Sequence, residues 1–328
     1  MPAPVRTKCL SIAAALLGAL ALAAPALADN AGLTPPEPRS PNAEAVTQTY
    51  YLLLLVTGLV FVAVEGALIV FLVKYRRRTR AVDAEGPQIH GHTRLELLWT
   101  IVPLALVTII VSFVFYKLPE VTPLSEEAIA SPEENVLQID VFGRQFYWEY
   151  RYPDGSVSYD TLVVPVNRTV DLTVTAPDHD VIHSWWIPEL GGKIDAIPGN
   201  VNRTWFRADR EGEYEGNCTE FCGVQHGAMT MTVRVVAADG YESEVTRLAG
   251  NGQAQFNAAC AKCHNVEGPQ LIGPTLGGNP TLSDRQGLAE LVRNGRNEMP
   301  AVGRGWSDRQ IETLMRYTQR VAEAGSGG

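Results

Sequence analysis

Hydrophobic positions along the chain follow three successive patterns. Two long apolar runs come first: residues 51–73 are 23 residues with a single charge, Glu65, and residues 99–116 are 18 apolar or hydroxylated residues. A helix of about 20 residues crosses a hydrocarbon core, so these runs predict two membrane spans, at about 51–73 and 99–117. From 135 to 236 the pattern shortens to a period of two, as in Val136-Leu137-Gln138-Ile139-Asp140-Val141 and Met231-Thr232-Val233-Arg234-Val235-Val236. Alternation broken by Pro, Gly and Asp predicts an antiparallel β-sandwich or barrel, with Trp148, Trp185, Trp186 and Trp205 as core bulk. Beyond 238 the spacing turns helical. Ser283-x-x-Gln286 and Ser307-x-x-Gln310 read as capping-box starts, and Gly295 as a helix stop.

A shorter apolar run, 10–24, follows Arg6 and Lys8 and ends at Ala26-Leu27-Ala28. That is the form of a signal peptide over 1–28. Cleavage there removes Cys9 and leaves a Pro-rich stretch that begins at Asp29. Between the two spans lie Lys74, Arg76, Arg77, Arg78, Arg80 and Arg94 against Asp83, Glu85 and Glu96. The excess of Lys and Arg places this loop in the cytoplasm and both chain ends outside. The expected localisation is a bacterial inner membrane, multi-pass, with the soluble domains on the periplasmic side. Glu65 sits mid-span, where an ionisable group is costly unless protein or water covers it. It therefore implies a larger membrane partner.

Composition narrows the classes. The 328 residues carry a net charge of -9 with 5 Cys. An acidic balance argues against nucleic acid, which needs a basic footprint, and so few cysteines exclude a disulfide-stapled miniature. Residues 119–240 hold 8 Lys/Arg against 20 Asp/Glu. Such a field steers a cationic partner, although solubility alone also accounts for it.

The chemistry concentrates in two short motifs. Cys218-Thr219-Glu220-Phe221-Cys222 is followed by His226 and Met229, with His183 upstream. Thiolate, imidazole and thioether form a soft donor set suited to copper. The second Cys supplies enough ligands for two coppers bridged by both thiolates. A lone C-x3-C in an exported chain would read as a disulfide; the His and Met spacing argues for metal. The second motif, Cys260-Ala261-Lys262-Cys263-His264, is the C-x2-C-H attachment site of a c-type haem. His264 is placed as proximal iron ligand, and Met299, before Pro300, as the distal one. Met315 falls on a helical face with Ile311 and Leu314 and reads as core. Met231, one pleat beyond Met229, also reads as core.

The chain resembles subunit II of cytochrome c oxidase, the haem-copper oxidase component that carries the binuclear centre CuA. The resemblance rests on 143–148 (Gly-Arg-Gln-Phe-Tyr-Trp), on Val181-Ile182-His183-Ser184-Trp185, on Asp195-Ala196-Ile197-Pro198-Gly199 and on the Cys218 to Met229 motif, and it covers about 45–238. It implies copper ligation by His183, Cys218, Cys222, His226 and Met229, with the Glu220 carbonyl as a further ligand. It also implies a magnesium shared with subunit I through the Glu220 side chain. Leu95-Glu96-Leu97-Leu98-Trp99-Thr100 matches the edge of the second span, where the family's Glu guards a proton pathway. From position alone Glu96 reads as an ordinary interfacial residue. Phe146 stands where the family usually has the Trp that receives electrons from cytochrome c, and Tyr147 and Trp148 are neighbouring candidates. Residues 253–321 resemble a class I cytochrome c domain.

The expected organisation is a signal peptide (1–28), an N-terminal extracytoplasmic segment (29–48), a transmembrane hairpin (49–118), a cupredoxin-like CuA β-sandwich (119–238), a linker (239–251) that can be helical in part, and a small all-α cytochrome c domain (252–328). The function it points to is that of an electron-accepting oxidase subunit with no catalytic residue of its own. Electrons from a donor cytochrome or other periplasmic donor would pass to haem c, to CuA and on to haem in subunit I. Oxygen would be reduced there with proton pumping, subunit III completing the membrane complex. A nitric oxide reductase subunit with the same modules, or a free-standing anchored electron carrier, are the alternatives. Nitrous oxide reductase lacks the hairpin and the c-type haem, and a quinol oxidase subunit lacks the copper ligands.

Overall fold

The computed structural model describes residues 34–75, 86, 88–133 and 135–324. The signal-peptide reading, the Arg76 to Glu85 charges and the last four residues lie outside them. The two apolar runs lie in α1 (Pro41–Lys74) and α2 (Thr93–Val121), which pack against each other and expose most of their apolar side chains. Apolar all round, each suits a hydrocarbon solvent rather than a protein core. Glu65 projects outward from this hairpin.

α1 starts earlier than its apolar run because Pro41 is preorganised for a first helical turn. That turn is docked: Asn42, Ala43 and Ala45 are buried, and Asn42 Nδ2 donates to the Trp205 carbonyl of the β domain. Trp205 Nε1 in turn donates to the Thr122 carbonyl just past α2, at 2.9 Å. After the short helix α3 (Glu126–Ala130) the chain enters the sandwich.

Its strands are β1 (Leu137–Arg144), β2 (Tyr147–Arg151), β3 (Val157–Tyr159), β4 (Thr161–Pro165), β5 (Val170–Thr175), β6 (His183–Trp185), β7 (Ile194–Ala196), β8 (Asn202–Phe206), β9 (Gly212–Asn217) and β10 (Thr230–Val236). One sheet runs β3-β2-β1-β5-β8, a second β4-β10-β9, and β6 pairs with β7. The sheets are mixed, not purely antiparallel as expected: β1 runs parallel to β5 and β4 parallel to β10. Alternation reports which face a residue takes and carries no information on strand direction. Val141, Trp148, Leu172, Val233 and Met231 fill the core between the sheets. Of the four expected core tryptophans only Trp148 and Trp185 are buried; Trp186 is exposed and Trp205 serves the junction with the hairpin.

The stretch expected as a partly helical junction contains helix α4 (Tyr241–Ala249), whose Val245 and Leu248 join the sandwich core. The remaining helices are α5 (Gly252–Ala259), α6 (Arg285–Asn294) and α7 (Asp308–Ala324). Ser307 and Gln310 form the expected capping box, Gln310 Oε1 accepting from Ser307 N and Ser307 Oγ from Gln310 N. At α6 the cap is Asp284 rather than Ser283, its carboxylate accepting from Gln286 N at 3.1 Å. The longer, charged acceptor outcompetes its neighbour at a helix N-terminus. Gly295 ends α6 at φ 71°, a conformation that costs glycine nothing.

Candidate functional sites

β9 and β10 are antiparallel neighbours, and residues 218–229 form the loop between them. The loop is closed at its base by the Cys218 N–H donating to the Met229 carbonyl at 2.9 Å. That closure gathers ligands that are eleven residues apart in sequence. Cys218 and Cys222 are free thiols with sulfurs 4.0 Å apart. Cys222 Sγ lies 3.6 Å from His226 Nδ1 and 3.7 Å from Met229 Sδ. Cys218 Sγ lies 4.0 Å from His183 Nδ1 and 3.2 Å from the Glu220 carbonyl oxygen. His183 arrives from β6, on a different part of the chain, and the ligand atoms of His183, Cys218 and Cys222 all lie within 4.8 Å of one another. Buried thiols this close without a disulfide fit a soft metal ion between them.

The surroundings prepare the ligands. His183 Nε2 donates to Asp180 Oδ1 at 3.0 Å, which leaves the Nδ1 lone pair facing Cys218. Burial pulls the His183 imidazole down, but the Asp180 carboxylate and Cys218 outweigh it and raise its affinity for a proton. The hydrogen bond with Cys222 holds the Cys218 thiol well below its ordinary range, and that same thiolate pushes Cys222 up. The pair thus shares one proton, which a cation would displace. Asp180, three residues before His183, is a positioning residue that the sequence reading missed, although its spacing was visible. Glu220 directs its carbonyl inward while its side chain is exposed.

The second site is a cavity of about 630 Å³ in the helical domain, lined by Cys260, Cys263, His264, Pro274, Leu314 and Met299 among others. Cys260 and Cys263 are unpaired, as thioether formation requires. His264 Nδ1 lies 2.7 Å from the Pro274 carbonyl oxygen. A carbonyl only accepts, so Nδ1 carries the proton and Nε2 keeps a lone pair for a metal. Gly273 packs flat on the imidazole: a Cβ there would fall 2.3 Å from His264 Cε1. Met299 is on the cavity wall, whereas Met315 is buried in the helical core and does not line it. The donor set and the space fit a covalently held haem.

Glu96 is at the start of α2, its Oε1 accepting from His92 N at 3.0 Å while His92 Nδ1 accepts from Leu95 N at 3.2 Å. The carboxylate therefore has a capping task whatever else it does.

The two domains that carry these sites meet at a packed seam. Tyr147 and Trp148 are fully buried and Phe146 nearly so. Along β2, Trp148 points into the sandwich, while Tyr147 belongs to the core of the helical domain with Tyr159 and Trp306. Tyr147 OH donates to the Val302 carbonyl at 2.5 Å, Arg144 Nη1 to the Arg304 carbonyl at 3.0 Å and Gln310 Nε2 to Tyr159 OH at 2.8 Å. Lys262, between the two haem-attachment cysteines, donates from Nζ to Asp160 Oδ2 at 2.6 Å and to the Phe146 carbonyl at 2.7 Å. Burial raises the Asp160 carboxyl even with Lys262 beside it. The seam roles of Asp160 and Tyr147 are not legible in local spacing, because each depends on a residue of the other domain.

Comparison with known proteins agrees with this architecture. The family model for the cytochrome c oxidase subunit II transmembrane domain matches residues 28–118, and that for its periplasmic domain residues 157–236. The model for cytochrome c oxidase, cbb3-type, subunit III matches 247–317. Cytochrome c oxidase subunit 2 of Alkalihalophilus pseudofirmus is 31% identical over 288 residues, covering 82% of this chain and 80% of the relative. A probable cytochrome c oxidase subunit 2 of Rickettsia bellii is 32% identical over 249 residues, covering 68% and 87%. The solved periplasmic domain of cytochrome oxidase subunit II from Bradyrhizobium japonicum is 37% identical over 34% of this chain and 92% of its own, with a TM-score of 0.32. Two apolar helices, a periplasmic β-sandwich and a haem-sized helical domain thus stand in one membrane-anchored chain, and that chain belongs to the cytochrome c oxidase subunit II family, with a cytochrome c domain at its C-terminal end.

Proposed function

We propose that this chain is the electron-accepting subunit of a haem-copper terminal oxidase. Electrons from a periplasmic donor would enter at a haem c held by Cys260, Cys263, His264 and Met299, pass to a CuA pair held around Cys218 and Cys222, and leave for haem in subunit I, where oxygen would be reduced to water with proton pumping. The observation that carries the reading is the soft-donor cluster of Cys218, Cys222, His226, Met229 and His183, hydrogen-bonded through Gln225 and Lys262 to the helical domain that holds a haem-sized cavity.

Copper would be held by those five side chains and the Glu220 carbonyl, and haem by Cys260 and Cys263 with His264 and Met299 on its iron. When bound, both groups supply one-electron chemistry. The protein's own part is positional: Asp180 fixes the His183 tautomer, the Pro274 carbonyl fixes that of His264, and the closed loop base excludes water from the thiolates. The exposed Glu220 side chain is available to a magnesium at a subunit I interface. The outward-facing Glu65 supports burial of the hairpin against subunit I, with subunit III completing the assembly. Glu96 is proposed to guard a proton pathway from the cytoplasmic edge, beside its capping role. The excess of Lys and Arg between the two spans supports a periplasmic location for both chain ends.

The test is gas consumption by the detergent-purified complex fed by a reduced mediator, with oxygen and nitric oxide compared. Oxygen uptake lost in Cys218→Ser supports the proposal. Preference for nitric oxide moves the chain to a reductase with the same relay, and a chain purified alone that consumes neither gas would be an anchored carrier.

A further inference from the structure

The loop that carries the haem-attachment cysteines is tied to the loop that carries the copper ligands by two short connections, both through Lys262. Its carbonyl accepts from Gln225 Nε2 at 2.7 Å, and Gln225 immediately precedes His226. Its ammonium donates to the Phe146 carbonyl, and the Phe146 ring lies against Gly223, where a Cβ would come within 3.0 Å of it. Gln145 closes the figure, donating from Nε2 to the Cys222 carbonyl at 2.6 Å. A lysine on a haem-attachment loop would ordinarily extend its charge into water. Here the side chain of Lys262 is only 14% exposed and its partner Asp160 22%.

The seam around these bonds is costly to open. Undocking would hydrate Tyr147 and Tyr159, break their hydrogen bonds to Val302 and Gln310, and separate the Asp160–Lys262 pair. It would also uncover Phe146, the position at which a soluble donor would otherwise meet the copper domain. A domain that shuttled would have to make and break all of this at each turnover.

We propose that the cytochrome c domain is a fixed partner of the copper domain, seated by the Lys262–Asp160 pair, and that Gln225 is a positioning residue for electron passage between the two cofactor loops. The inference rests on the relay reading above and adds that the Phe146 face is closed to any external donor, which must therefore meet the haem domain instead. With both groups bound, the change between the sites would be a single electron given up by the haem and taken by the copper pair, with no bond made or broken and no proton moved; the part of this chain is to hold the two loops together.

The test uses the full chain in its purified complex, with Gln225→Ala, Lys262→Met and Asp160→Asn. Asparagine keeps the acceptor that Asp160 Oδ1 offers to Trp148 N, so that variant retains its local fold. Amide hydrogen exchange over 144–148 and 222–226 reports docking. Flash-initiated oxidation of haem c by copper reports the link, and optical and electron paramagnetic resonance spectra report that both sites are intact. Gln225→Ala should slow haem oxidation several-fold with spectra, potentials and exchange unchanged. Lys262→Met and Asp160→Asn should raise exchange over 144–148 by on the order of a hundredfold. An unchanged rate in Gln225→Ala, or unchanged exchange in both seam variants, would overturn the proposal. A wild-type complex with both cofactors loaded but no copper reduction by haem would sink the relay reading itself, leaving the exchange results to judge the docking alone.

Discussion

Replacing Gly273 by alanine adds a single methyl against the haem-ligand candidate His264, and its consequence follows from distances. The new Cβ would lie 2.3 Å from Cε1, 2.6 Å from Nδ1 and 2.8 Å from Nε2 of the imidazole. Carbon contacts settle at about 3.5 Å or more, so the ring or the backbone must move by about 1 Å. The ring cannot slide freely, because Nδ1 is bonded at 2.7 Å to the carbonyl of the next residue, Pro274. Overpacking of this kind costs about 1–3 kcal/mol, and losing the hydrogen bond adds about 0.5–1.5 kcal/mol. A loss of about 2–4 kcal/mol lowers the melting temperature of a small domain by about 8–32 °C. The assay is thermal melting of the purified holoprotein followed through haem absorbance, with haem content and the iron ligand field measured on the same sample. An alanine variant with wild-type melting and an unaltered ligand field would refute the close packing of Gly273 on His264.

Met299→Ala should change the potential and ligand field of haem c, while Met315→Ala should cost about 2–5 kcal/mol of stability with the potential retained; redox titration and melting separate the two. Glu149 is fully buried between Arg144, at 2.9 Å, and Arg151, at 2.7 Å. Glu149→Ala should therefore destabilise the sandwich by about 3–5 kcal/mol in denaturant titration, and a change under 1 kcal/mol would contradict the pairing. Cys222→Ser should abolish copper binding, read by metal analysis, while circular dichroism of the β-sandwich stays unchanged. Hydrogen bonds from Arg247 and then Arg234 hold the Glu244 carboxyl at about 2, below its ordinary 4.5. Its stabilisation is therefore complete above about pH 4.5 and lost as pH falls towards 2. At this largely solvated pair the effect should stay below about 1 kcal/mol and vanish from the pH profile of Glu244→Gln.

Local chemistry was legible and long-range assembly was not. The soft-donor loop could be read because its Cys, His and Met residues fall within residues 218–229, inside one hairpin loop, and the C-x2-C-H loop because its cysteines and histidine lie within five positions. His183 was harder, since only the pairing of β6 with β7 and the packing of that pair against the loop bring it to Cys218. The tryptophans show the limit of counting bulk: Trp186 and Trp205 have the same composition signal as Trp148 and Trp185 but face outward or towards the hairpin. Helix α4 falls within the expected partly helical junction, 239–251, whose docking onto the sandwich is not marked in its sequence. Its two apolar residues, Val245 and Leu248, suffice to dock it once a sandwich face is present.

The sequence by itself determined the identity of the donors, the apolar length of the spans and the two-residue alternation, because each is a property of neighbours along the chain. Only the tertiary structure decided that the copper and haem domains share a seam. Tyr147, Tyr159, Asp160, Gln225 and Lys262 acquire their roles from partners about 40 to 155 residues away. Nothing in their local spacing marks them, since burial at an interdomain face is set by which surface arrives to cover it.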